Sequence, residues 1–194
     1  MTSKSRMYLK DHTEVKKIDW SYCIGLPAKY YVASQDAAIR KDGIQFLQKI
    51  ASTIGDMGGG KLSGIIYGSW PSLMPEGAID KQAFLEMSIS SMKEAVKAAE
   101  DNNVIFNVEV VNSFEQYLLH TAEEAVDYVH RVGSPNMKIL LDTFHMNIEE
   151  DSISKAIDNA GDYLGHLHIG ENNRKPPSYG HIPWKEMAVA LRKK

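Results

Sequence analysis

Five short β-rich runs alternate with longer segments of helical period, and this alternation limits the chain more than any other feature. The runs cover residues 18–25, 62–68, 104–111, 137–143 and 164–170. Their starts lie 27 to 44 residues apart, room for a crossover helix each time, as parallel neighbours require. Between them, Leu85, Ile89, Met92, Val96 and Ala99 step by four and three residues within 80–103, one apolar stripe at helical period. Ile44, Leu47, Ala51 and Ile54 repeat the pattern earlier. Thr121 and Glu124 form a capping-box pair, with Ala122, Ala125, Val126, Val129 and Val132 as the buried face behind it. Residues 57–60 and 133–135 read as helix stops, and Pro183 as the first residue of a last helix running towards Arg192.

No linker or composition shift divides the chain, so residues 1–194 read as one domain. Alternating β and α predicts a parallel sheet covered by helices, either an open doubly wound sheet or a (β/α)₈ barrel. A nucleotide-binding open sheet has its glycine-rich turn between strand and helix, whereas Gly58, Gly59 and Gly60 precede a strand. A barrel usually has eight strands over roughly 200 residues or more; only five runs are found here.

Charge and composition exclude several classes. Lys and Arg total 22 against 25 Asp and Glu, a net charge of −3. Such a balance offers no basic stripe for nucleic acid. Apolar runs are far too short for a membrane span, and residues 1–10 lack the apolar segment of a signal peptide. The single cysteine, Cys23, has no intrachain disulfide partner and reads as a small buried hydrophobe. A cytoplasmic protein is expected, with neither a nucleic-acid nor a membrane partner.

Ionisable residues interrupt the ends of three otherwise apolar strands: Glu109, Asp142 and His168. In a parallel α/β fold those carboxyl ends face the active site. A lone carboxylate in apolar surroundings is costly unless paired or bound to metal. Two carboxylates and an imidazole converging there suit a divalent ion such as Mn²⁺, Mg²⁺ or Co²⁺. Each residue also has a plain structural alternative. Glu109 could be an ion-pair partner, Asp142 a cap for the following turn, and either His166 or His168 a hydrogen-bonded core residue. Glu115, His145 and Arg174 fall just downstream, on loops where a substrate would be gripped or merely on solvated ones. Trp70 reads equally as a stacking wall or a packed aromatic. The run Glu149, Glu150, Asp151 reads as a solvated helix entry.

At these residues the sequence resembles the ketose 3-epimerases, the D-tagatose/D-psicose 3-epimerase family of xylose-isomerase-like barrels. The resemblance lies in VEVVNSFEQYLLHTAEEA from Val108, KILLDTFHMNIEEDSI from Lys138 and LGHLHIGENNRKPPSYGHIPW from Leu164. GLPAKYYVAS from Gly25 and IIYGSWP from Ile65 support it. It implies an incomplete (β/α)₈ TIM barrel: a single partial domain holding family strands three to seven, truncated at both ends. It also implies a divalent metal (Mn²⁺, Co²⁺ or Mg²⁺) on Glu109, Asp142 and His168, with Glu109 as one of two acid/base carboxylates. Glu115, His145 and Arg174 match residues that hold the sugar hydroxyls, and Trp70 is carried with them as a substrate-binding residue. The family's second catalytic glutamate lies on a last strand that this chain does not reach. Ser113 stands where the family usually has Arg, and Ser178 where it usually has Gly.

The expected function is therefore metal-dependent interconversion of ketohexoses such as D-fructose and D-psicose, through C3 deprotonation and reprotonation. Two other readings accompany it. One is a catalytically incomplete fragment or sugar-binding assembly module, associating as a homo-oligomer through open sheet edges. The other is a related aldose–ketose isomerase, which shares the metal and the enediol chemistry.

Overall fold

The computed structural model describes residues 2–17, 19–72, 77 and 80–193. Five strands, β1 (Ser21–Cys23), β2 (Gly60–Gly64), β3 (Val104–Glu109), β4 (Met137–Asp142) and β5 (Leu164–His168), lie side by side in chain order. Every neighbouring pair is parallel. The helices are α1 (Ser3–Lys16), α2 (Ala37–Asp56), α3 (Lys81–Asp101), α4 (Ala122–Val132), α5 (Thr143–Glu149), α6 (Ile153–Ala160) and α7 (Trp184–Leu191).

The strand order decides between the two architectures. Parallel crossovers are right-handed, so an order that advances one strand at a time puts every crossover helix on the same face. A doubly wound sheet reverses direction at a switch point, and this sheet does not. The helices accordingly form one layer, with α2 against α3, α3 against α4, α4 against α6 and α6 against α7. The result is an arc of a (β/α)₈ barrel, a curled half-barrel. Among the described residues no strand pairs with the outer edge of β1 or β5.

Side-chain direction alternates along β3 and separates the helix-facing core from the inner face, where Asn107 is also buried. On β3, Val104, Phe106 and Val108 are fully buried against the helix layer, while Ile105 and Glu109 on the inner face are only partly buried. Ile139 and Leu141 of β4 continue the outer face, and Leu47, Ile54, Ala95, Val129 and Ile157 pack on it from the helices. The apolar stripes read from the sequence are these contact faces.

Some element boundaries differ from the sequence reading, while the glycine cluster matches it. The strands are shorter than the sequence runs because the chain leaves the ladder at their carboxyl ends, although Ile24 and Leu26 still donate to the carbonyls of Ser63 and Ile65. Ile18, where the first run was placed to begin, lies outside the described residues. Gly58, Gly59 and Gly60 all have positive φ and turn α2 into β2, so this cluster is a helix-to-strand connection. Pro183 is the cap before α7, one residue earlier than expected. Thr121 accepts the Glu124 N–H at 3.3 Å, but Glu124 itself receives the His120 N–H at 2.7 Å and pairs with Lys81 at 2.6 Å. Only half of the reciprocal capping box therefore forms.

Of the acidic run only Asp151, exposed and just before the Ser152 cap of α6, is a solvated helix entry. Glu149 ends α5 and accepts the Ser113 N–H at 2.7 Å, while Glu150 accepts the Ala122 N–H at 2.6 Å at the start of α4. Glu150 does sit at a helix N-terminus, but at that of a neighbour. The apolar residues of helix α1 are too sparse to give a helical period in the sequence. It is capped by Thr2, which accepts the Ser5 N–H, and tied to α2 by an Arg6–Asp56 bridge of 3.1 Å.

Gly64 has φ 119°, and a Cβ there would overlap the Ile24 carbonyl oxygen across the β1–β2 step. Gly64→Ala is expected to lower unfolding free energy by about 3 kcal/mol, read from urea denaturation, through left-handed strain plus overpacking.

Candidate active site at the carboxyl ends of the strands

Strand register assembles the site. Glu109, Asp142 and His168 are the last residues of β3, β4 and β5, and the ladder pairs Asp142 directly with His168. The His168 Nδ1 atom lies 3.3 Å from Glu109 Oε1 and 3.8 Å from Asp142 Oδ2. The hydrogen bond to Glu109 raises the imidazole pKa above its ordinary value, against the opposing effect of burial.

Asp142 combines both of its sequence readings. One oxygen accepts the Phe144 N–H at 2.7 Å and caps α5; the other faces His168 and accepts from Arg174 Nη1 at 3.2 Å. Helix α5 follows β4 without a loop, which brings His145 under the same rim. His145 is buried, and its Nδ1 lies 3.2 Å from the Asn112 backbone N–H and 2.7 Å from the Asn112 amide nitrogen. Burial first, and then the Arg174 charge, push its pKa down, against nearby carboxylates. With Nδ1 accepting, the neutral ring carries its proton on Nε2.

Arg174 reaches this centre from the loop after β5. Its guanidinium stacks on the Phe144 ring at 3.7 Å, and its Nη2 lies 3.3 Å from His145 Nε2 and 4.0 Å from Glu115 Oε1. Two donors then converge at the cavity, an arrangement suited to a ligand oxygen. Glu115 also accepts from Trp70 Nε1 at 3.3 Å and from the Asn112 amide at 3.1 Å. Trp70 is 46% exposed and lines the cavity, while its indole also packs on Gly25, so both of its sequence readings describe it. Its Cβ lies so close to Gly25 that a side chain there would crowd it at 3.1 Å.

All seven sequence-predicted residues, Glu109, Asp142, His168, Glu115, His145, Arg174 and Trp70, line one cavity of about 280 Å³. Cys23 lines it too. It is exposed rather than buried, because it lies on β1 at the open edge of the sheet and faces this cavity. Partial desolvation by its neighbours and the Glu109 charge raise its thiol pKa. A larger groove of about 660 Å³ between β1 and α2, walled by Tyr22, Tyr30, Phe46 and Ile50, gathers no comparable set of ionisable groups.

The donor set fits a divalent ion. Ligands about 2.1 Å from one ion stand roughly 3–4 Å apart, the spacing of His168 from Glu109 and Asp142. Glu109, Asp142 and His145 also bring ligand atoms within 4.8 Å of one another. His145 is the poorer ligand, since its Nδ1 is occupied by Asn112 and its Nε2 carries the proton. Sequence reasoning missed Asn112, whose only signal was a polar residue closing an apolar run, and Phe144, which gives Arg174 its seat.

This fold and site place the chain in a known class: a family model described as xylose isomerase-like TIM barrel matches residues 7–194, and the chain belongs to that family. It is 46% identical to a D-psicose 3-epimerase of Ruminiclostridium cellulolyticum, over 86% of this chain and 57% of that one. It is 36% identical to the D-psicose 3-epimerase of Enterocloster bolteae, over 98% of this chain and 63% of that one. The crystal structure of D-psicose 3-epimerase with D-tagatose from Clostridium cellulolyticum H10 superposes with a TM-score of 0.93 at 41% identity. That match covers 100% of this chain and 66% of the other, so the chain spans less than two thirds of the length of these relatives.

Ser178 carries local backbone strain. Ser178 is exposed and adopts φ 77°, a left-handed conformation that disfavours any residue with a Cβ. Ser178→Gly is expected to raise stability by about 0.5–1 kcal/mol, visible as a higher urea midpoint with unchanged m.

Proposed function

We propose that this cavity is a metal-dependent ketose 3-epimerase site acting on ketohexoses such as D-fructose, D-psicose and D-tagatose. The observation that carries the reading is the convergence of Glu109, Asp142 and His168 beside the donors His145 and Arg174. Similarity to D-psicose 3-epimerases supports it. Glu109, Asp142 and His168 would hold Mn²⁺, Co²⁺ or Mg²⁺. When bound, such an ion polarises the ketose carbonyl and stabilises negative charge on the adjoining oxygens.

The chain's own residues divide the remaining work. Glu109 serves as the base for the C3 proton, weakly acidic beside a ketone, and the sugar passes to a planar cis-enediolate. His145 and Arg174 donate to the hydroxyls near C1 to C3, Glu115 accepts from them, and Trp70 covers the sugar face. Inversion needs a second acid on the opposite face. The remaining carboxylate among the described lining residues, Glu115, is already engaged by Trp70, Asn112 and Arg174. A cytoplasmic setting suits the unpaired thiol. Association into a homo-oligomer through the outer edges of β1 and β5, unpaired among the described residues, belongs to the same proposal.

The test is proton NMR of D-fructose incubated with the protein and Mn²⁺ in D₂O. Deuterium is expected at C3 and is expected to vanish with Glu109→Gln. D-psicose signals in addition would show that a second acid is supplied, from a further copy or another chain. Deuterium at C1 in place of C3 would favour an aldose–ketose isomerase, and the absence of all exchange would overturn the proposal.

Metal binding has its own readout. Mn²⁺ at a hundredfold its Kd is expected to stabilise the protein by about 2.7 kcal/mol. That gain should disappear in Asp142→Asn and His168→Ala and persist in His145→Gln. Loss in His145→Gln with retention in His168→Ala would reassign the third ligand.

A further inference from the structure

We infer that Glu171 is a positioning residue whose buried carboxylate shapes the loop that delivers Arg174 to the cavity. This rests on the reading that Arg174 holds a ligand oxygen. Glu171 is fully buried, three residues beyond the end of β5, and it does not line the cavity. Its Oε1 accepts the Ser178 N–H at 2.6 Å and the Trp184 indole N–H at 2.6 Å, and its Oε2 accepts the Ile182 N–H at 3.1 Å. A carboxylate is acceptor-only and can serve several N–H groups at once. Here it gathers two from the far half of the loop and one from the first residue of α7. Burial pushes its pKa up, but hydrogen bonds from Trp184, Ile182 and Ser178 outweigh that and lower it.

The near half of the loop is fixed by the same residue's backbone. The Glu171 N–H donates to the Lys175 carbonyl at 2.9 Å, and the Glu171 carbonyl accepts the Arg174 N–H at 2.9 Å. Arg174 is thereby turned into a left-handed conformation with φ 62°. Non-glycine residues persist in such a conformation where their surroundings over-determine it. Ser178, also left-handed, is held through its N–H to Glu171. Gly180 packs so tightly that a Cβ would overlap the Glu171 carboxylate. The Arg174 side chain is half exposed and long, so its placement over Phe144 depends on the backbone that launches it.

The experiment is NMR of the labelled guanidinium groups, with the Arg174 signal assigned by its loss in Arg174→Lys. In the unmodified protein the Arg174 side-chain N–H is expected to be resolved and slow to exchange with water. Glu171→Gln puts an amide donor against N–H groups. It is expected to speed that exchange about tenfold or more and to weaken D-fructose binding about tenfold, the scale of one lost charge-assisted hydrogen bond. Glu171→Asp, which keeps the acceptor charge, should recover part of both, and the rest of the spectrum should stay dispersed. Unchanged Arg174 exchange in folded Glu171→Gln would overturn the inference. Should Glu171→Gln fail to fold, Trp184→Phe removes one donor while keeping an aromatic side chain, and it must then show a smaller shift in the same direction. If the unmodified protein binds no ketose, the functional reading fails while Arg174 exchange still decides the role of Glu171.

Discussion

Parallel backbone pairing from β3 through β5 is the interaction on which the rest of the molecule depends. Its register sets Glu109 opposite Leu140, Leu140 opposite His166 and Asp142 opposite His168. Because all the strands run the same way, their carboxyl ends share one rim. Because side chains alternate, the residues that face the helices are apolar while those on the inner face are free to be chemical. A slip of one residue in any ladder would turn a site residue into the core and a core residue into the site.

Charge at the rim is balanced by geometry rather than by number. Glu109, Glu115 and Asp142 face a single arginine and a histidine whose pKa is raised. Asp142 is held twice, by the first turn of α5 and by Arg174. His145 is neutral because it is buried, which makes it a donor in the cavity instead of a second cation. These groups arrive on separate elements, and each is fixed by a neighbour outside the cavity: Asn112 for His145, Phe144 for Arg174, and the Glu171 loop behind them.

The two strained loop residues make the same point from the backbone side. Arg174 and Ser178 both lie in the left-handed region, where a side chain is disfavoured. One serves the cavity; the other, Ser178, is held by the Glu171 carboxylate through its N–H. Local strain of this kind persists because a buried anion with several N–H partners leaves the loop few alternatives.

Much of this was legible in the residues themselves. The spacing of the five runs and the apolar stripes at Ile44 to Ile54 and Leu85 to Ala99 fixed an α/β chain with parallel strands, because burial period and crossover length are local properties. The ionisable interruptions at Glu109, Asp142 and His168 marked the site, since charges at the ends of buried strands need a reason. Local pattern could not choose between an open sheet and a barrel arc, which depends on strand order. Nor could it show the exposure of Cys23, which follows from its place on an edge strand. The roles of Asn112, Phe144 and Glu171 were likewise hidden, because each acts through a contact that only the folded loops create. Sequence by itself determined which residues could do chemistry and which face of each element they share. Tertiary structure alone decided which of them meet, because hydrogen-bond partners and left-handed turns belong to the packed chain.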